Sequence, residues 1–139
     1  MLSTKTEYAI RGLVELAGAQ EKRPVAVREV SKRQNLPAKY MEHIFKSLKS
    51  AGILKSIKGA AGGYILQKSP DEISLQEIMS AIAEEPVSLN CHGREGIREY
   101  CVGLPCDFLS VWIEIEKELE NHLAEIKLSR FIVNNEERI

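Results

Sequence analysis

The chain lacks any apolar run approaching a membrane span, and its start, MLSTKTEYAIRG, lacks the uninterrupted apolar core of a secretory leader. A cytoplasmic protein with no membrane contact is expected. Cysteine is scarce, with three among 139 residues. An odd, small number argues against a disulfide framework and leaves the thiols for other chemistry. There is no internal repeat and no low-complexity stretch. No nucleophile sits beside a base at a usable spacing and no phosphate-cradling loop is present, so an enzyme is not expected. Net charge is nearly absent too, −1 in total.

That total conceals a division. Residues 1–68 hold 13 Lys+Arg against 5 Asp+Glu, net +8, whereas residues 69–139 hold 6 against 15, net −9. A field of this kind draws a polyanion to one half of the molecule and keeps it off the other. With 44% hydrophobic and 28% charged content the chain is long enough for one well-cored domain with a helical extension.

The stretch PVAVREVSKRQNLPAKYMEHIFKSLKSAGILKSIKGAAGGYILQK organises the rest. Met41, Ile44, Phe45 and Leu48 fall at i, i+3, i+4, i+7, giving one apolar stripe on a helix from Ala38 to Ala51. Val27 to Gln34 forms a shorter helix before it. Between them, Asn35-Leu36-Pro37 has the chemistry of a helix-turn-helix turn, with Pro37 fitting the start of the second helix. Strands Ile53–Ile57 and Tyr64–Gln67 then flank a glycine-rich tip long enough to be a wing. The expected fold is mainly α with a small β-hairpin wing, a winged helix-turn-helix.

In that motif the exposed N-terminal side of the second helix meets base edges, which nominates Lys39, Tyr40, Glu42, His43 and Lys46. Arg28, with Lys32, Lys49 and Lys55, is placed to meet phosphates. At the wing tip, Lys58, Gly59 and Gly62 have two readings: glycine supplies positive φ in a hairpin, or a thin backbone lets Lys58 approach a minor groove.

Thr4 to Gln20 reads as a packing helix with Ser3 or Thr4 as its cap and Glu7 complementing its dipole. Ser74-Leu75-Gln76-Glu77 is a capping box opening a core helix that stops before Pro86. These elements make residues 1–86 the DNA-binding domain. From 87 to 106 periodicity disappears and all three cysteines cluster, Cys91, Cys101 and Cys106, among Gly93, Gly96 and Gly103. Core cysteines would be scattered among apolar periodic positions, so the cluster favours a shared ligand suited to thiolates, zinc, copper(I) or an iron-sulfur cluster, with zinc ranked second because the spacing matches no common zinc pattern.

Residues 107–139 return to helix. Phe108, Trp112, Ile115, Leu119, Leu123 and Ile126 form a near-heptad seam, which points to a homodimer, while Leu109 and Ile113 form a second apolar set available to pack back on the first helix. A short amphipathic piece, Phe131-Ile132-Val133, ends the tail.

STKTEYAIRGLVELA, PAKYMEHIFKSLKSAGIL, KGAAGGY and three cysteines before a long helix resemble the IscR/NsrR/CymR (Rrf-type) bacterial transcription regulators. The resemblance covers essentially the whole chain. It implies a homodimeric regulator that binds a double-stranded DNA operator under control of a two-iron or four-iron cluster on Cys91, Cys101 and Cys106. The cluster would report redox state, nitric oxide or iron and sulfur supply. The gap between the first two cysteines is longer than in the family, and the histidine that IscR-type members carry three residues past the last cysteine is Leu109 here. In NsrR-like members a first-helix carboxylate of the other subunit is a ligand, and Glu7 occupies that place; His92 is the other candidate. CymR-like members bind no cluster. They imply the alternative, a regulator of the same fold controlled by a protein partner or by thiol redox state.

Overall fold

The computed structural model describes residues 3–19, 22–84 and 107–132. Their helices are α1 (Thr4–Ala17), α2 (Val27–Gln34), α3 (Ala38–Ser50), α4 (Leu75–Ala81) and α5 (Asp107–Glu125). Strands β1 (Leu54–Ile57) and β2 (Gly63–Leu66) lie between α3 and α4, and short 3-10 turns occupy Pro70–Glu72 and Leu128–Phe131.

The apolar periodicities become one core. Met41, Ile44, Phe45 and Leu48 are fully buried, and Ala9, Leu13 and Val30 meet them from α1 and α2. At about 1.5–3 kcal/mol for each fully buried large side chain, this stripe fixes which face of α3 turns inward. Gly12 allows the close crossing of α1 on α3, because a Cβ there would come within 2.6 Å of Phe45 Cε1. The Ser3 hydroxyl caps α1 by accepting from the Thr6 N–H at 3.3 Å. The helix ends at Ala17, three residues earlier than its pattern suggested.

Three helices end in the same way. Asn35 after α2, Gly52 after α3 and Ala83 after α4 all have positive φ, at 54°, 81° and 57°. At α3 the Ile53 N–H reaches back to the Leu48 carbonyl at 3.0 Å, and at α4 the Glu84 N–H reaches Met79 at 2.8 Å. Both are the reversal that satisfies the last orphan carbonyls of a helix.

The hairpin pairs Leu54 with Leu66 and Ile57 with Gly63. Val25 adds an unexpected third member. Its N–H donates to the Tyr64 carbonyl at 3.0 Å and its carbonyl accepts from the Tyr64 N–H at 2.9 Å, tying the α1–α2 connection to the wing. The Tyr64 ring in turn meets Phe45 edge-on, with centroids 5.3 Å apart, so the tip-side half of the hairpin ladder is seated on α3.

The Ser74 hydroxyl accepts from the Glu77 N–H at 3.0 Å, as its capping box requires, while the Glu77 carboxylate takes Lys68. Beyond α5 the chain returns. The Leu75 N–H donates to the Ile126 carbonyl and the Leu128 N–H to the Ile73 carbonyl, each at 2.8 Å, and Leu128 is fully buried. Leu123 and Ile126 pack against the same core. The last turns of the apolar seam therefore serve the chain's own body, whereas Val111, Ile113, Ile115 and Leu119 stay exposed. Ile113 was available to pack back on α1. It is 51% exposed, because Leu123 near the end of α5 and Ile126 just past it make the intramolecular contact, while the Leu109 side chain lies outside the described residues. In the tail the buried residue is Leu128, and Phe131 lies exposed. Among the described residues no helix is long and apolar enough to cross a membrane.

Candidate nucleic-acid interface

With the apolar stripe of α3 turned inward, its other side is left to solvent. Lys39, Glu42, His43 and Lys46 are all exposed and recur at i, i+3, i+4, i+7, so they form one outward stripe. Tyr40 is 38% exposed at its edge, its ring meeting Tyr8 of α1 edge-on with centroids 5.7 Å apart. Arg28 is exposed on α2.

The wing tip separates its two named glycines. Gly59, beside exposed Lys58, has φ +119°, and a Cβ there would meet nothing within 4 Å. It is open to a ligand and needs glycine for its backbone angle. Gly62 is required by the turn itself: a Cβ would lie 2.2 Å from the Ile57 carbonyl oxygen, and its N–H closes the loop onto the Gly59 carbonyl at 3.0 Å.

Ion pairing sorts the basic half into two populations. Lys5 donates to the Ile82 carbonyl, Arg11 pairs with Glu7 at 3.7 Å, Arg23 and Arg33 grip Glu29 at 2.9 and 2.8 Å, and Lys68 pairs with Glu77. Arg33 also reaches Glu15, which accepts from Gln34. Its two arginines hold the Glu29 carboxyl below the usual carboxylate range, first through the Arg23 hydrogen bond, with partial burial opposing. Arg23 is raised by the same bond.

Among the described residues, Lys22, Arg28, Lys32, Lys39, Lys46, Lys49, Lys55 and Lys58 have no acidic partner. Apart from Lys22, all lie on α2, α3 or the hairpin. Within the basic half, the cations without an acidic partner thus gather on the helix-turn-helix and wing, with Lys117, Lys127 and Arg130 the described ones without such a partner toward the other end of the chain. The Glu7–Arg11 and Glu29–Arg33 pairs were legible as i, i+4 spacings, whereas the Arg23–Glu29 contact needs the fold.

Of the candidate metal ligands, Glu7 lies in the first turn of α1 with its side chain 64% exposed. Cys91, Cys101 and Cys106 lie outside the described residues, as does His92. Among the described residues no three His, Cys, Asp or Glu side chains converge as a metal site would require.

Known proteins resemble this chain in sequence and fold. Residues 2–134 match the Rrf2 family, described as "Iron-dependent Transcriptional regulator". The HTH-type transcriptional regulator IscR of Aliivibrio salmonicida is 32% identical over 97% of this chain and 79% of its own length. Among solved structures, CymR (YrzC), the global cysteine regulator of B. subtilis, superposes with a TM-score of 0.70 at 28% identity, covering 93% of both chains. T. potens IscR does so with a TM-score of 0.67 at 29% identity, over 93% of this chain and 83% of that one. A match of this extent, on a winged helix whose free cations gather on the reading helix and wing, makes the chain a member of the Rrf2 family of DNA-binding transcription regulators, which are not enzymes.

Proposed function

We propose that this regulator binds its operator as a homodimer and that an iron-sulfur cluster on Cys91, Cys101 and Cys106 sets its affinity. The observation that carries the operator side is the gathering of unpaired cations: the α3 stripe of Lys39, Glu42, His43 and Lys46, with Tyr40 at its edge, faces bases, while Arg28 and the Lys58–Gly59 tip meet the backbone beside it. Gly62 keeps that tip folded. The dimer has support in the row of exposed apolar residues on α5, Val111, Ile115 and Leu119.

The donor set suits the cluster. Thiolates are soft ligands for iron, and the Glu7 carboxylate, exposed and engaged by Arg11 at 3.7 Å, is accessible for a fourth position. When bound, such a group supplies sensitivity to redox state, nitric oxide or iron and sulfur supply. The similarity to an IscR from end to end supports this reading. The similarity to a global cysteine regulator supports a second one, the same fold without a cluster, answering to a protein partner or to thiol redox state in the cytoplasm.

Anaerobic purification with iron and sulfide analysis, followed by operator titration before and after chelation, separates the two. Brown protein carrying iron and sulfide in equal amounts, with affinity changed by chelation, is expected. Colourless, iron-free protein with full operator affinity would instead establish the cluster-free regulator.

A further inference from the structure

The first helix has so far served only the core and a candidate ligand. At the border of its buried face it carries Thr4, Tyr8, Arg11 and Glu15 at i, i+4, i+7, i+11, one stripe along the helix, with Tyr8 and Glu15 half-buried and Thr4 and Arg11 exposed. Both neighbours that bracket Arg11 on this stripe touch the helix-turn-helix. Tyr8 meets the Tyr40 ring at the start of α3. Glu15 accepts from Gln34 and pairs with Arg33 at the end of α2. Arg11 is therefore carried alongside the α2–α3 turn, at the border of the end of α3 that reads bases. Its side chain is 44% exposed, and its partner is Glu7, itself 64% exposed, at a loose 3.7 Å.

We propose that Arg11 is a phosphate contact that extends the operator interface onto α1, and that Glu7 regulates it by competing with the phosphate for the guanidinium. An exposed pair at this distance is weak in water, and the dense charge of a duplex outcompetes it at a cost. Anything that engages the Glu7 carboxylate elsewhere removes that cost and strengthens the contact. The proposal rests on the operator-binding reading and adds a regulated contact to it.

The test is the salt dependence of operator affinity for the full-length protein, with Arg11→Gln, Glu7→Gln, the double variant and Lys58→Ala as a control. Thermal melts verify folding, which both exposed α1 side chains leave intact. Arg11→Gln should flatten the log–log salt slope by about one unit, so that the affinity lost between 50 and 200 mM salt shrinks about three- to four-fold. Preference among operators should not change. Glu7→Gln alone should tighten binding several-fold at low salt, and the double variant should match Arg11→Gln. An unchanged slope in Arg11→Gln, with a flattened one in Lys58→Ala, overturns the α1 contact while leaving the operator interface standing. Unchanged slopes in both would mean that the interface itself is misplaced. If Glu7→Gln tightens binding equally with and without Arg11, Glu7 merely repels DNA and the regulation is refuted.

Discussion

Lys5 Nζ donates to the Ile82 carbonyl at 2.7 Å, a bond across 77 residues of sequence that fastens the start of α1 to the end of α4. The ammonium sits at a helix C-terminus, where the last carbonyls are unpaired and the dipole favours a cation. Lys5→Met keeps the aliphatic stem and removes the donor. It should lower stability by about 1 kcal/mol, read as a shifted urea midpoint at constant slope.

Ala83 takes the helix-ending position that Gly52 fills after α3, at φ 57° against 81°. An L side chain there carries a steric cost of about 1 kcal/mol that glycine avoids. Ala83→Gly should therefore raise stability by about 0.5–1 kcal/mol, although glycine usually weakens a helical segment. Gly52→Ala should lower it by a similar amount. Matching changes of the same sign at both sites would contradict this account.

The Glu29 carboxyl is depressed in the fold by the Arg23 hydrogen bond and by the charges of Arg23 and Arg33. A depressed carboxyl stabilises above its unfolded pKa and ceases to do so as pH falls through its folded value. Glu29→Gln should thus be less stable than the parent at pH 7, and the two melting curves should converge below the ordinary carboxylate range of about 4. Because the group is partly solvent-exposed, the gap at pH 7 should be small.

Base readers and backbone clamps should differ in what they disturb. Lys58→Ala should weaken binding to specific and random DNA alike and flatten the salt slope by about one unit. His43→Ala and Glu42→Ala should instead reorder operator preference, at about 1–3 kcal/mol per altered base contact. Competition binding against a library of single-base operator variants reads both.

Leu119 is 37% exposed on α5, beyond the turns that pack on the body. Leu119→Lys should shift sedimentation from the proposed dimer to the 15.6 kDa monomer and reduce operator affinity by at least about tenfold, while leaving the melt of the body unchanged. A variant that stays dimeric would place the subunit contact elsewhere.

How much could be read in the sequence follows the length of each signal. The α3 stripe repeats over two turns, and all four of its apolar residues are buried as their spacing requires. The Ser74 cap has a four-residue signature, and the structure makes its bond. Val25 joins the wing through two backbone bonds that no side chain announces, and Arg23-Pro24 before it reads only as punctuation. Leu128 sits in a 3-10 turn of four residues, too short for any period to show. The seam on α5 was visible, but its division between an intramolecular end and an exposed end depends on where the chain turns back. The chemistry of the reading face was nameable from residue types. That Arg23 is already neutralised was not, since it meets Glu29 only once the α1–α2 connection is bent against the wing.

The return of the chain at residues 126–128 also orders events during synthesis. When residue 84 leaves the ribosome, the reading helix and the wing have both been made, yet the core still lacks Leu128, and Ile73 and Leu75 still lack their backbone partners. Closing that gap joins residues 55 apart in Ile73 and Leu128, a long-range step that comes late in folding. A nascent chain therefore acquires its finished DNA-binding body only after the cysteine-bearing segment and α5 have been translated. A product stopped between the wing and Leu128 carries the full reading surface on an incomplete core, the state in which local opening and proteolysis are favoured.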